Sequence, residues 1–262
     1  MTENNQAPNG NHAHVNGINL YYEIHGSGTP LVLLPGGGST ITTSFGRILP
    51  ELAKTHQVIA LELQAHGRTG DRDAPVSFQQ DAADVAELLR TLEISKANVF
   101  GFSNGGQTAL EIGIHYPEIV NKLIVASAFY KRDGVPEGFW KSFDDPQFSH
   151  LPEVYKDEYL KISDEATLIN MFKKDAARMK NFKDWADEEI RSIKAPTLVV
   201  IGDRDLALPE HAAALSRLLP QGHLMILPGG HGEYFGEAFF TDNDSRIPEA
   251  FVQIVNDFLE SK

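Results

Sequence analysis

A serine flanked by glycines, Gly101-Phe102-Ser103-Asn104-Gly105, sits where the apolar run "ANVFGFS" gives way to the helical pattern "QTALEIGIHYP". A serine hydroxyl is a weak nucleophile until a base takes its proton and donors stabilise the oxyanion its attack creates. A sharp turn from strand to helix serves that chemistry. It lifts Oγ above a sheet and aims the backbone N–H of the next residue, Asn104, at the reacting oxygen. The turn is strained and crowded, so the positions two before and two after the serine must be nearly free of side chain. With 22 glycines in 262 residues the G-x-S-x-G spacing alone carries little weight. Its setting between strand and helix singles out Ser103.

A second oxyanion donor is expected from "LLPGGGST", where a backbone without side chains can approach closely. Gly37 is the candidate, with Gly36 behind it. An acid and a base should follow the serine in the order Ser, Asp or Glu, His. "VVIGDRDLALP" leaves a strand and offers Asp203 and Asp205. "ILPGGHGEY" offers His231, in a glycine-rich loop just past a terminal strand; His211 falls on a helix and His223 begins a strand.

The elements that must position these residues alternate between two periods. "INLYYEIHG", "PLVLL", "QVIALEL", "ANVFGFS", "KLIVASAF", "PTLVVIG" and "HLMILPG" read as strands, most of them continuous apolar runs. "FGRILPELAKTH" reads as helix, and "FQQDAADVAELLRTLEI" puts Ala82, Val85, Leu88, Leu89 and Leu92 on one helical face. "PEHAAALSRLLP" is a helix between prolines, and "IPEAFVQIVNDFLESK" aligns Ile247, Phe251, Ile254, Val255 and Phe258. Buried strands separated by helices predict an α/β protein with a mainly parallel sheet covered on both faces. From about Tyr130 to Ile193 no strand is expected, and both tryptophans lie there, so this stretch reads as a helical insertion between two strands.

These motifs together resemble the α/β-hydrolase superfamily with a helical cap, in the esterase and lactonase manner, from about Val15 to the C-terminus. The likeness rests on "LLPGGG", "LELQAHGRT", "GFSNGG", "GDRD" and "PGGHG". It implies a hydrolase core over 15–129 and 194–262, a cap or lid over 130–193 and a flexible N-terminus over 1–14. It assigns the acid to Asp205, three beyond the glycine of its turn, and so a Ser103–His231–Asp205 triad. The chain departs from the family in having Pro35-Gly36 where His-Gly is frequent, which leaves Gly36 and Gly37 both in view as oxyanion donor. It also has Gln64 where proline is common: a residue pointing into the site, or a turn residue. Trp140 and Phe143 of the insertion and Tyr234 after the histidine complete the candidate substrate contacts.

The implied reaction is acyl transfer to water with an ester or lactone of a largely uncharged small molecule. It calls for no cofactor and no metal. The same triad serves macrolide-antibiotic esterases, C–C bond hydrolases and perhydrolases, and some relatives act as small-molecule receptors with vestigial hydrolysis. Fold does not choose among these. Serine at the elbow and the lack of cysteine set aside the family's aspartate- and cysteine-nucleophile branches.

Composition bounds the partners. A net charge of −13 argues against nucleic acid and anionic membranes, since phosphate contacts need a basic footprint. No apolar run approaches the roughly 18 residues of a membrane span. The polar start "MTENNQAPNGNHAH" has no apolar core of a secretory signal, and the absence of cysteine fits a reducing compartment, so a cytoplasmic monomer or homodimer is expected.

Overall fold

The computed structural model describes residues 10–239 and 244–261. Its strands are β1 (Gly10–Val15), β2 (Ile18–His25), β3 (Thr29–Leu34), β4 (His56–Leu61), β5 (Ala97–Phe102), β6 (Val120–Ala126), β7 (Thr197–Gly202) and β8 (Gly222–Leu227). They form one eight-stranded sheet in the order β1-β2-β4-β3-β5-β6-β7-β8. The pairs β1–β2 and β2–β4 are antiparallel, and every later pair is parallel.

Ten α-helices accompany it among the described residues: α1 (Ile41–Phe45), α2 (Leu49–Leu52), α3 (Phe78–Thr91), α4 (Asn104–His115), α5 (Glu137–Lys141), α6 (Glu153–Leu160), α7 (Glu165–Lys180), α8 (Asp187–Ser192), α9 (Pro209–Leu218) and α10 (Ile247–Glu260). Alternate residues of one strand feed different cores, which explains the continuous apolar runs. Val32, Leu34 and Val99 pack with α3, α4 and α9 on one face. Leu31, Leu33, Phe100 and Phe102 pack with α1, α2 and α10 on the other.

The structure corrects several sequence expectations. Residues 10–14, expected to be flexible, belong to β1, a short edge strand in which Ala13 and Val15 turn inward and Asn11, His12 and His14 do not. Residues 1–9 lie outside the described residues. The helix expected over "FGRILPELAKTH" shrinks to the four-residue α2, and α1 ends at Phe45, where that stretch begins. On α10, Ile254 is 44 % exposed, whereas Val252 and Leu259 join Phe251 and Val255 in the core. On α3 the inward face is as the spacing predicts, with Ser77 accepting from Gln80 N–H as N-cap.

Between β6 and β7 the chain carries only helices and turns. This insert has a small core of its own, Tyr159, Leu168 and Met171. It is seated on the sheet layer by an aromatic cluster in which Phe182 meets Phe78, Phe129, Trp140 and Trp185. Polar ties add to this: Trp185 Nε1 donates to Glu111 of α4 at 2.8 Å, and Tyr159 OH donates to the Ala65 carbonyl at 3.1 Å. No helix among the described residues is long and apolar enough to cross a membrane.

Candidate active site

The site forms at the C-terminal ends of β3, β5, β7 and β8. In an open α/β sheet the crevice beyond these ends, where strand order reverses, is the place for a ligand. Here the reversal falls at β3, with β4 on one side and β5 on the other.

The elbow comes first. Ser103 follows β5 directly with φ 52° and ψ −120°, a positive φ that costs a non-glycine residue roughly 1–3 kcal/mol. Its N–H is held by the Ala126 carbonyl at 2.9 Å, and its own carbonyl accepts from Gly106 and Gln107. The flanking glycines are required by contact: a Cβ on Gly101 would lie 2.0 Å from the Gly105 carbonyl oxygen, and one on Gly105 would lie 2.1 Å from that of Leu34. Asn104 opens α4, so its N–H has no partner within the helix and carries the positive end of the helix dipole.

The glycine loop after β3 faces it. Gly36 N–H donates to Ser44 Oγ at 3.2 Å, so it is spoken for and is not an oxyanion donor. Gly38 N–H donates to Asp175 Oδ2 at 2.7 Å. Between them the Gly37 N–H has no hydrogen-bond partner among the described residues. A Cβ on Gly37 would lie 2.3 Å from Asn104 Nδ2, so the glycine loop packs directly on the residue after the serine.

The two aspartates after β7 separate cleanly. Asp203 Oδ1 accepts from Gly229 N–H at 2.8 Å and its side chain is 51 % exposed. The Asp205 side chain is fully buried, and its Oδ1 lies 2.7 Å from His231 Nδ1. Its Oδ2 accepts from Ser127 Oγ, and N–H groups of Gly202 and Ala207 also approach the carboxylate. Burial alone would raise this carboxyl, but the His231 charge and hydrogen bond, with Ser127 and Ala207, hold it below the ordinary aspartate value. A carboxylate only accepts, so His231 carries its proton on Nδ1 and leaves Nε2 as the basic nitrogen. The imidazole packs 4.8 Å from the ring of Phe102, the residue before Ser103.

Over this centre lies a cavity of about 280 Å³ lined by Gly37, Gly38, Ser103 and Asn104 below and by insert residues such as Phe143 and Tyr155 above. Besides Gly36, three expected contacts are not among its lining residues. Gln64 is 1 % exposed, donating to Asp71 and accepting from Arg72, which makes it the brace of its own turn. Tyr234 is fully buried, its hydroxyl 2.8 Å from Ser127 Oγ, so it backs the group that holds Asp205. Trp140 donates to the Arg132 carbonyl, has the Arg132 guanidinium 3.9 Å over its ring, and packs on Phe129. Phe240, in the aromatic stretch that follows His231, lies outside the described residues. Among the described residues no group of His, Asp or Glu is arranged to hold a metal ion.

Sequence reasoning missed a buried charge cluster beside the glycine loop. Asp175 and Arg178 of α7 pair with each other; Arg178 also meets Asp81 of α3 at 2.6 Å, and Asp175 Oδ2 lies 2.9 Å from His66 Nε2. Because His66 Nδ1 faces the Gln64 carbonyl at 2.9 Å and must donate to it, a hydrogen bond from Nε2 to Asp175 requires an imidazolium. Burial opposes that charge, and the Asp175 carboxylate outweighs it, raising the His66 pKa. Burial likewise opposes the Asp175 charge, yet Arg178, His66 and the Gly38 N–H together hold its pKa far below the ordinary value. Two cations and two carboxylates thus balance. An Asp three residues before an Arg, both on the inward face with Leu168, Met171 and Met179, was the available signal in the sequence.

The family profile of the α/β-hydrolase fold matches residues 29–158, which include the glycine loop and the elbow. The chain belongs to the α/β-hydrolase superfamily. This α/β-hydrolase is 28 % identical to serine hydrolase BPHL of Homo sapiens over 256 residues, 91 % of this chain and 84 % of that one. It is 24 % identical to 2-hydroxy-6-oxo-2,4-heptadienoate hydrolase of Pseudomonas putida, over 94 % of each. In fold it is similar to the enol-lactonase from Burkholderia xenovorans LB400, with a TM-score of 0.74, 21 % identity, and coverage of 95 % of this chain and 100 % of that chain.

Proposed function

We propose that this α/β-hydrolase cleaves a carboxylic ester or lactone of a largely uncharged small molecule through Ser103, His231 and Asp205. The observation that carries the reading is the 2.7 Å pair of Asp205 with His231 Nδ1, which leaves Nε2 to act as base, on an imidazole packed against Phe102, the residue before the strained elbow serine. His231 takes the Ser103 proton as Oγ attacks the carbonyl carbon, and the N–H groups of Gly37 and Asn104 hold the oxyanion. Collapse breaks the bond to the leaving oxygen, which departs with the proton from His231. Water then attacks the acyl-enzyme, giving one proton to His231, and the acid leaves as Ser103 Oγ takes that proton back.

The cavity supports an uncharged substrate. Its lining is mostly aromatic and aliphatic, with His150 and a few polar groups but no lysine or arginine, so a substrate carboxylate such as that of a dienoate would find no permanent cation there. Asp175, the one acid in the lining, is already saturated by Gly38, His66 and Arg178. The test is a panel of linear esters, small and macrocyclic lactones, amides and a dienoate, followed by liquid chromatography with mass detection, beside labelling by an alkyl fluorophosphonate. The expected result is steady turnover of neutral esters or lactones and label on Ser103 alone. Turnover confined to the dienoate, or a single slow burst with no second cycle, would overturn it.

A further inference from the structure

The insert reaches under the site as well as over it. Gly36, Gly37 and Gly38 have no side chains to fix them, so their backbone must be held by hydrogen bonds from elsewhere. Ser39 N–H donates to the Gly36 carbonyl at 3.3 Å, and Gly38 has φ +71°, which together mark a type II turn. The peptide between Gly37 and Gly38 is its central unit, and rotation of that unit by about 180° separates type II from type I. The Gly38 N–H that defines its direction is held at 2.7 Å by Asp175, a residue of α7 in the insert. On the other side, Ser44 holds the Gly36 N–H. The peptides before and after Gly37 are thus both tied, the first by Ser39 at the Gly36 carbonyl and the second by Asp175 at the Gly38 N–H, while the Gly37 N–H has no partner among the described residues.

Resting on the hydrolase reading above, we propose that Asp175 is a positioning residue for the oxyanion hole: by fixing the Gly37–Gly38 peptide it keeps the turn closed through Ser39 N–H and the Gly36 carbonyl, and that bond orients the Gly36–Gly37 peptide whose N–H, that of Gly37, faces the reacting oxygen. A bare carboxylate so close to a developing oxyanion would oppose it, and His66 with Arg178 neutralises that charge. The seated insert thus completes the catalytic backbone as well as roofing the cavity. His66 Nε2, 3.3 Å from the Gly38 nitrogen, is a second acceptor only when neutral. Removing Asp175 therefore weakens the hold on Gly38 rather than abolishing it.

The experiment compares wild type, Asp175→Ala and Asp175→Asn on p-nitrophenyl butyrate, with thermal melting to establish that each is folded. Binding of an alkyl trifluoromethyl ketone, whose serine adduct places an oxyanion in the hole, is set against that of the matching methyl ketone, which binds without forming it. For Asp175→Ala kcat is expected to fall about 10- to 100-fold, below the roughly 10²- to 10³-fold of a deleted donor. KM and methyl-ketone affinity should stay within about threefold, and trifluoromethyl-ketone affinity should fall in step with kcat. Asp175→Asn, whose amide oxygen can still accept from Gly38, should restore kcat to within about threefold of wild type. A folded Asp175→Ala enzyme that keeps its kcat and its trifluoromethyl-ketone affinity overturns the proposal. So does a variant in which both ketones weaken equally. If Asp175→Ala does not fold, Asp175→Leu combined with Arg178→Met and Asp81→Asn removes the acceptor together with the cation and the carboxylate that would otherwise be left buried and unpaired, and is read the same way against Arg178→Met with Asp81→Asn. A wild type with neither turnover nor phosphonate labelling overturns the hydrolase reading itself, whereas the ratio of variant to wild type tests Asp175 alone.

Discussion

At the scale of residues, the site divides into groups that meet substrate and groups that hold those groups still. Ser103→Ala should leave a folded protein whose ester hydrolysis is reduced about 10³-fold or more, as measured by initial rates on p-nitrophenyl butyrate, because the nucleophile is lost while the donors remain. The two aspartates offer a sharper comparison. Asp205→Asn should lower kcat roughly 10²- to 10⁴-fold, since an amide can no longer fix the His231 proton on Nδ1. Asp203→Asn, at an exposed side chain that accepts from the Gly229 N–H and lies 4.0 Å from Arg204 Nε, should cost under about tenfold in the same assay. The reverse ranking would remove Asp205 from the triad. Among the aromatics, Phe143→Ala should change kcat/KM unequally across a series of acyl chain lengths, because Phe143 lines the cavity. Trp140→Ala, stacked under Arg132 and against Phe182 away from the cavity, should lower all activities together with the melting temperature.

At the scale of elements, the buried pair joining α3 to α7 makes a prediction about pH. Burial raises the Asp81 carboxyl to about 6, against the pull of Arg178. The folded state therefore holds this proton more tightly than the unfolded chain, so the contribution is favourable at low pH and is lost as pH rises from about 4 to about 6. Relative to Asp81→Asn, wild type should gain up to about 3 kcal/mol of unfolding free energy on going from pH 7 to pH 4, by denaturant titration at each pH. An unchanged gap between the two proteins would show that Asp81 is ionised throughout. The elements themselves were largely legible in the sequence, since period and punctuation report burial directly. Seven strands, α3, α4, α9 and the elbow could be read from "ANVFGFS" and its like. β1 could not, because an edge strand with two inward residues, Ala13 and Val15, leaves too faint an alternation among polar neighbours. Nor could the roles of Tyr234, Gln64 and Asp175, which depend on partners brought together only by folding: Ser127, Asp71 and Gly38.

At the scale of the whole molecule, the net charge of −13 and a cavity lining without lysine or arginine act in the same direction. A neutral butyrate ester should be turned over with kcat/KM about tenfold or more above its succinate hemiester counterpart at pH 7, and the gap should narrow as salt is raised, because long-range repulsion is screened. A gap indifferent to salt would place the discrimination wholly inside the cavity. The hydrogen bond between Asp175 and Gly38 joins parts of the chain 137 residues apart, and this bears on how such a protein can diversify. A recombinant that kept this sheet and took its insert from a relative would still carry the serine, the histidine and the glycine turn. It would strand Asp81 without its cation and Gly38 without its acceptor, unless the donor helix happened to bring both. Insert and sheet are thus coupled through buried charge, and a point change at a cavity position such as Phe143 leaves that coupling intact where an exchange of the insert would break it.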